Sequence, residues 1–284
     1  MSTIIKKSRA VTMTQDTSPV RGHYEAEVPD DIASRIATWL DSVPPGPVEP
    51  ALLAGLDQFH IGGLPATARL AELCGFTPDM HVLDAGSGLG GPSRFLARNA
   101  GCRVSGIDLS PSFVHAATQL TDRVGLAERV RFQVGDLLAL PFPAGSFDAV
   151  WTQHVAMNIA DRAALYRSFR QVLKRGGLLG LYDVVRSAGK PDPIYPVPWA
   201  ETPDTSFLLT EAETRSRLEQ AGFSIEHWID ASEEAKTWRA QPRPTDGATL
   251  ATVMGPRFGT MTANLGRNLQ ESRVGVLMAV CRAI

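Results

Sequence analysis

Short apolar runs and helix-spaced stretches alternate through the middle of the chain. His81–Ala85, Arg103–Asp108, Val130–Val134 and Phe147–Trp151 are short, largely apolar and bounded by polar or glycine residues, which reads as buried strands. A helical stretch follows the first run and ends near Asn99–Gly101. Ser110 is a suitable N-cap for a helix over Pro111–Val124. Asp161 opens another, with Leu165, Phe169, Val172 and Leu173 as its apolar stripe. Gly176–Gly177 is read as closing that helix and opening a fifth strand, Leu178–Val185. This alternation predicts an α/β fold: a parallel sheet with helices on both faces.

The flanks depart from the alternation. Ile32–Leu40 and Ala66–Cys74 have helical spacing, separated by the Pro-rich stretch Val43–Pro50 and by Asp57–Gly63, DQFHIGG. Residues 1–20 are polar, lack the continuous apolar core of a signal peptide and are expected to be disordered. Beyond the fifth strand, Gly189–Asp204 is Pro-rich and reads as a loop. Thr210 and Glu213 form a capping-box pattern for a helix ending at Gly222. Ser224–Asp230 and Val274–Cys281 read as strands, and Ala231–Ser272 between them as mixed and largely helical.

The stretch Val82–Leu96, VLDAGSGLGGPSRFL, carries the chemistry. Gly86, Gly88, Gly90 and Gly91 let the backbone bend and let a ligand approach, and Pro92 suits the first turn of the helix that follows. The N–H groups of that turn suit an anionic part of a ligand, so a nucleotide-like cofactor is expected across it. Residues 86–91 satisfy G-x-G-x-x-G, and Asp108 follows at the spacing of a nucleotide fingerprint. Alone, that pattern admits NAD, FAD or S-adenosylmethionine. Asp84 before the first glycine, the second acidic site Gly135-Asp136-Leu137 and an apparent terminal hairpin argue against a dinucleotide.

A net charge of −2 over 284 residues leaves no basic footprint for nucleic acid or an anionic membrane surface. No apolar run approaches membrane-spanning length. Cys74, Cys102 and Cys281 show neither metal-ligand nor disulfide spacing, which suits reduced, buried thiols in a cytoplasmic protein. No metal site is expected, because Glu201, Asp204, Glu226 and His227 lack a paired ligand spacing.

Taken together, VLDAGSGLGG, GIDLS, VGDLLALPFPAGSFDAVW and LKRGGLLGLYDVV resemble the class I S-adenosylmethionine-dependent methyltransferases. DQFHIGG, YPVPWA and NLGRNLQESR narrow the resemblance to enzymes acting on small molecules: glycine, sarcosine and dimethylglycine N-methyltransferases, and natural-product or sugar O-methyltransferases. The resemblance implies a Rossmann-like, doubly wound sheet in the order 3-2-1-4-5-7-6 with strand seven antiparallel. It implies one methyltransferase domain over 21–284: a helical lid (21–78), a cofactor core (79–188) and substrate-cap insertions within 189–273. The chain would be a monomer or homodimer.

Roles follow residue by residue. Asp84 and the backbone of Ala85, Gly86 and Gly88 would hold the amino-acid end of S-adenosylmethionine. Asp108 would accept both ribose hydroxyls. Asp136 would accept from the adenine amine, with Leu137 in backbone contact and Leu109 against the ring. As residues alone, Asp108 and Asp136 read equally as turn or helix caps. Gln153 and His154, at the end of strand four, would face the methionine arm, where open α/β sheets bind ligands. His154 is the candidate general base, or a satisfied, partly buried histidine. Gln58 would close over the cofactor and His60 meet the substrate, unless both are structural in a lid loop. Met157, Tyr195 and Trp199 would wall the substrate pocket; anchoring a Pro-rich loop is the other reading of the last two. Tyr182 reads as core. The expected activity is methyl transfer to an N or O nucleophile of a small metabolite or natural product. The alternative is a cofactor-binding relative without methyl transfer, such as a cyclase-like enzyme.

Overall fold

The computed structural model describes residues 32–43, 48, 50–241 and 257–284; the expected tail (1–20) and stretch 242–256 of the late insertion lie outside these. The described residues build one seven-stranded sheet from β1 (His81–Ala85), β2 (Arg103–Asp108), β3 (Val130–Val134), β4 (Phe147–Gln153), β5 (Leu173–Arg186), β6 (Phe223–Asp230) and β7 (Val274–Ala283). The order is β3-β2-β1-β4-β5-β7-β6. β1 to β5 run parallel, and β7 is antiparallel to both β5 and β6. The helices are α1 (Ile32–Ser42), the single turn α2 (Ala54–Asp57), α3 (Gly63–Cys74), α4 (Gly91–Asn99), α5 (Pro111–Arg123), α6 (Arg162–Val172), α7 (Glu211–Gln220), α8 (Ser232–Ala240) and α9 (Phe258–Gln270).

Period-two alternation divides the strands between two cores. Val82, Val104, Trp151 and Tyr182 pack with Leu70 of α3, Leu96 of α4 and Leu265 of α9. Leu83, Ile107, Val150 and Leu181 pack with Leu165 and Phe169 of α6 and Leu218 of α7. A third cluster joins Ile36 and Leu40 of α1 to Phe113 and Leu120 of α5, which attaches the N-terminal segment to the β2 side. All three cysteines are buried and free. No helix among the described residues is long and apolar enough to cross a membrane.

The caps follow their sequence signals. Ser110 accepts from the Phe113 N–H, Asp161 from the Ala164 N–H, and Thr210 and Glu213 complete a capping box. Several boundaries move by one to three residues, and the junction of α6 with β5 differs in kind. α6 ends at Val172, and Leu173 already belongs to β5, opposite Phe147. Gly176–Gly177 therefore lies within β5 rather than closing a helix. Leu173 is buried in the same core whichever element holds it, so its apolar character carried no boundary information. Gly91 also differs, since it does not take the positive φ of Gly86, Gly88 and Gly90. It is needed for close approach: a Cβ there would lie 2.3 Å from the Asp57 carbonyl oxygen.

Candidate active site

The carboxyl ends of the parallel strands open into one cavity, as the topology of an open α/β sheet favours. On the β2–β3 side it is lined by Gly86, Gly88, Asp108, Leu109, Asp136 and Leu137. Toward β4 and β5 it continues past Gln153, His154 and Met157 to Trp199.

The glycine turn is tied to β2 by the Gly86 and Ser87 N–H groups, which donate to the Ile107 carbonyl at 2.8 and 3.0 Å. Gly86 sits at φ +80°, and a Cβ there would strike Val155 at 2.4 Å, so the turn packs closely on the β4 exit loop. Asp108 is aimed by two backbone donors: Gly88 N–H to Oδ2 at 2.8 Å and Ser110 N–H to Oδ1 at 3.0 Å. A carboxylate oxygen accepts more than one bond, so this carboxylate is oriented with capacity for a pair of vicinal hydroxyls. Asp136 Oδ1 accepts the Leu138 N–H at 2.9 Å and caps the turn Leu137–Ala139. It is thus a cap and a cavity residue at once.

Gln153 carries a second indication of a ligand. Trp151 Nε1–H donates to its Oε1 at 3.0 Å, which fixes the amide, and its buried Nε2 has no partner among the described residues. A buried donor left in this state is the kind of group that a ligand oxygen satisfies. The oriented Asp108, the glycine turn and this orphaned donor fit the ribose and amino-acid ends of S-adenosylmethionine.

Asp84, Ala85, Gln58 and Tyr195 do not line the cavity. Asp84, only 2 % exposed, lies behind the turn and accepts from Ser93 Oγ at 2.5 Å. Burial pushes its carboxyl up to about 7, although the Ser93 hydroxyl opposes this. Gln58 is buried, with Oε1 accepting from Thr67 Oγ1 at 2.8 Å. Tyr195 is half-buried beside Ser206, the residue that also accepts the Trp199 Nε1–H at 2.9 Å.

The two histidines face the cavity in unequal states. His60 spends both ring nitrogens, Nδ1 on the Ile61 carbonyl at 3.1 Å and Nε2 on Thr67 Oγ1 at 2.9 Å, and burial lowers its pKa to about 4. His154 sits at φ +53°, and its Nδ1 accepts the Ile61 N–H at 3.1 Å. Burial, with a smaller contribution from His60, holds its pKa well below the ordinary value, so the ring is neutral. A neutral imidazole accepting at Nδ1 carries its proton on Nε2. As arranged, His154 offers a donor at Nε2, which is buried and has no partner among the described residues.

A buried ion pair missed from the sequence holds the DQFHIGG segment. Arg94 of α4, 2 % exposed, bonds Asp57 Oδ2 at 2.8 Å and the Leu89 carbonyl at 2.7 Å. Asp57 opens the DQFHIGG motif and lies 37 residues before Arg94, so no local pattern in the sequence joined the two. Trp238 of α8, Phe258 of α9 and Val184 of β5 also line the cavity and were not singled out, because they read as ordinary apolar positions. The late NLGRNLQESR motif has a local purpose. Asn264 Nδ2 donates to the Pro196 carbonyl at 3.0 Å, and Asn268 bonds both the N–H and the carbonyl of Ile194, at 2.8 and 2.9 Å. It thereby staples the YPVPWA loop to α9. Among the described residues, no group of three His, Cys, Asp or Glu side chains could hold a metal ion.

Residues 83–181 match the family model described as a methyltransferase domain. A sterol 24-C-methyltransferase of Gibberella zeae is 36 % identical over 114 residues, which is 40 % of this chain and 30 % of that protein. The chain spans about half or less of the length of the first curated relatives that it matches. Among solved structures, the [4+2]-cyclase SpnF shares the fold with a TM-score of 0.63 at 23 % identity, over 89 % of this chain and 97 % of that one. Methyltransferase GfsG of Streptomyces halstedii is 30 % identical over 215 residues, covering 75 % of this chain and 73 % of that protein. A match of that extent reaches well beyond the shared core, and the chain belongs to the class I S-adenosylmethionine-dependent methyltransferases.

Proposed function

We propose that this chain transfers the methyl group of S-adenosylmethionine to a nitrogen or oxygen nucleophile of a small-molecule acceptor. The observation that carries the reading is the Asp108 carboxylate, oriented by the Gly88 and Ser110 N–H groups at the rim of a cavity that runs on past His154. In this reading Asp108 accepts the ribose hydroxyls, while Asp136, Leu137 and Leu109 hold the adenine. Gly86 and Gly88 present backbone to the amino-acid end, with Ala85 and Asp84 supporting the turn from behind and Gln153 Nε2 as a donor. Gln58 acts through Thr67 to hold the lid. Met157, Trp199 and His60 face the acceptor, and Tyr195 supports Trp199 through Ser206. Residues 21–78 act as lid, 79–188 as cofactor core and 189–273 as cap of one domain. The net charge suits a small acceptor rather than nucleic acid, and the free, buried thiols suit a cytoplasmic protein; a monomer or homodimer is part of the same proposal.

When bound, the cofactor supplies a methyl group already activated by its sulfonium. The chain's residues then orient the acceptor and exclude water, effects that together can supply roughly 7–11 kcal/mol of barrier lowering. His154 donates from Nε2 and fixes orientation. An amine acceptor that enters neutral needs no base; a hydroxyl acceptor would release its proton to solvent water as the C–O bond forms and the C–S bond breaks.

The test is incubation of the full chain with S-adenosylmethionine and a panel of amines and alcohols. S-adenosylhomocysteine release and a product one methylene heavier are expected. Tight cofactor binding without turnover on any acceptor would favour the non-transferring alternative.

A further inference from the structure

Beyond Met157 the cavity changes character. Its walls there are Trp199, Trp238, Phe258, Val184 and Leu265. Trp199 is 3 % exposed, and its indole N–H is spent on Ser206 Oγ, so the ring offers the cavity carbon surface only. Trp238 packs against the lid: a Cβ added at Gly63 would lie 3.1 Å from its Cζ2. Phe258 and Leu265 come from α9, which Asn264 and Asn268 clamp to the loop carrying Trp199. The apolar walls are thus tied together, not accidentally adjacent.

Among the described residues the charge at this end of the cavity is the Arg239 guanidinium, and it is directed along α9. Arg239 lines the cavity, but its Nη2 donates to the Thr262 carbonyl at 2.8 Å and its guanidinium lies along α9, 2.8 Å from where a Gly266 Cβ would be. Arg257 pairs with Glu201. His60 and His154 are kept neutral by burial. The carboxylates among the described lining residues, Asp108 and Asp136, lie at the far end. A phosphate or carboxylate on the acceptor would be stripped of water against indole and alkyl surface, which strongly disfavours the charged form.

We infer that the acceptor is an extended, uncharged and predominantly apolar molecule, gripped between Trp199, Trp238 and Phe258 with its nucleophile turned toward His154. This rests on the methyl-transfer reading of the same cavity, and the test separates the two. S-adenosylhomocysteine is first titrated into the full chain by calorimetry; failure to bind sinks the methyl-transfer reading itself. The loaded protein is then titrated, with tryptophan fluorescence as the signal, with two matched pairs: farnesol and farnesyl diphosphate, and estradiol and estradiol sulfate. One neutral member is expected to bind at least tenfold more tightly than its charged partner. Trp238→Ala should weaken that binding at least tenfold while S-adenosylhomocysteine affinity stays within twofold. Phe258→Ala, made in parallel, should weaken it as well and guards against a single misfolded variant. Tighter binding of the charged members, or no binding of any member by a protein that binds S-adenosylhomocysteine, overturns the inference and leaves the methyl-transfer reading standing.

Discussion

Asp108 and His154 show how differently two side chains in one cavity depend on the rest of the chain. Asp108 is positioned by its own neighbourhood, the Gly88 and Ser110 N–H groups. If Asp108 accepts the ribose hydroxyls as proposed, Asp108→Ala removes two charge-assisted hydrogen bonds, about 3 kcal/mol or more. S-adenosylhomocysteine affinity measured by calorimetry should therefore fall by roughly 100-fold or more; an unchanged affinity contradicts the assignment. His154 is set by the Ile61 N–H, from a segment 93 residues away in sequence. Its neutral, Nε2-protonated ring gives kcat/KM no imidazole limb between pH 6 and 8, and His154→Ala should lower kcat by about tenfold, the size of one lost hydrogen bond. A limb near pH 6.5 that disappears in that variant would restore the base. The strand-end acids were legible in the sequence because their placement is local, whereas the proton position on His154 was not, because it depends on a distant backbone donor. Asp84 was legible as an acid at the turn but not as one turned away behind it, against Ser93.

At the scale of elements, the Asp57–Arg94 pair couples the DQFHIGG segment to α4 and, through the Leu89 carbonyl, to the glycine turn. Arg94→Ala leaves Asp57 buried without its counter-charge, whose proximity now opposes the burial that raises its carboxyl. A loss of about 3–5 kcal/mol in chemical denaturation is expected. A loss below about 1 kcal/mol would show the pair to be dispensable. Helix starts were readable because Ser110, Asp161 and Thr210 act within one turn of their own positions. The β5 start was not, since Leu173 serves the same core as helix or strand. Nor was the clamp on Ile194, because an asparagine pair on a helix face gives no sign of the loop that it meets.

The molecule as a whole buries two acids whose titration acts against the folded state as pH rises. Burial raises Asp84 to about 7 and Asp183 to about 6. A carboxyl raised in the folded state binds protons that the unfolded chain has released, so its contribution to stability is present below about pH 4 and lost as pH rises toward 7. Asp84→Asn should flatten the fall in Tm of the ligand-free protein across that window; an unchanged slope contradicts the buried, protonated state. The sheet order itself was legible, because the glycine turn and the acids at the ends of β2 and β3 belong to one recurring arrangement. The lining of the cavity by Trp238 and Phe258 was not, since the two side chains meet there only once α8 and α9 pack together. The most direct trial of the whole account is a crystal structure of the chain with S-adenosylhomocysteine. The account predicts both ribose hydroxyls on Asp108, adenine beside Asp136 and Leu137, and the sulfur directed toward His154 and Met157; a ligand bound elsewhere, or an adenosine that leaves Asp108 untouched, would contradict it.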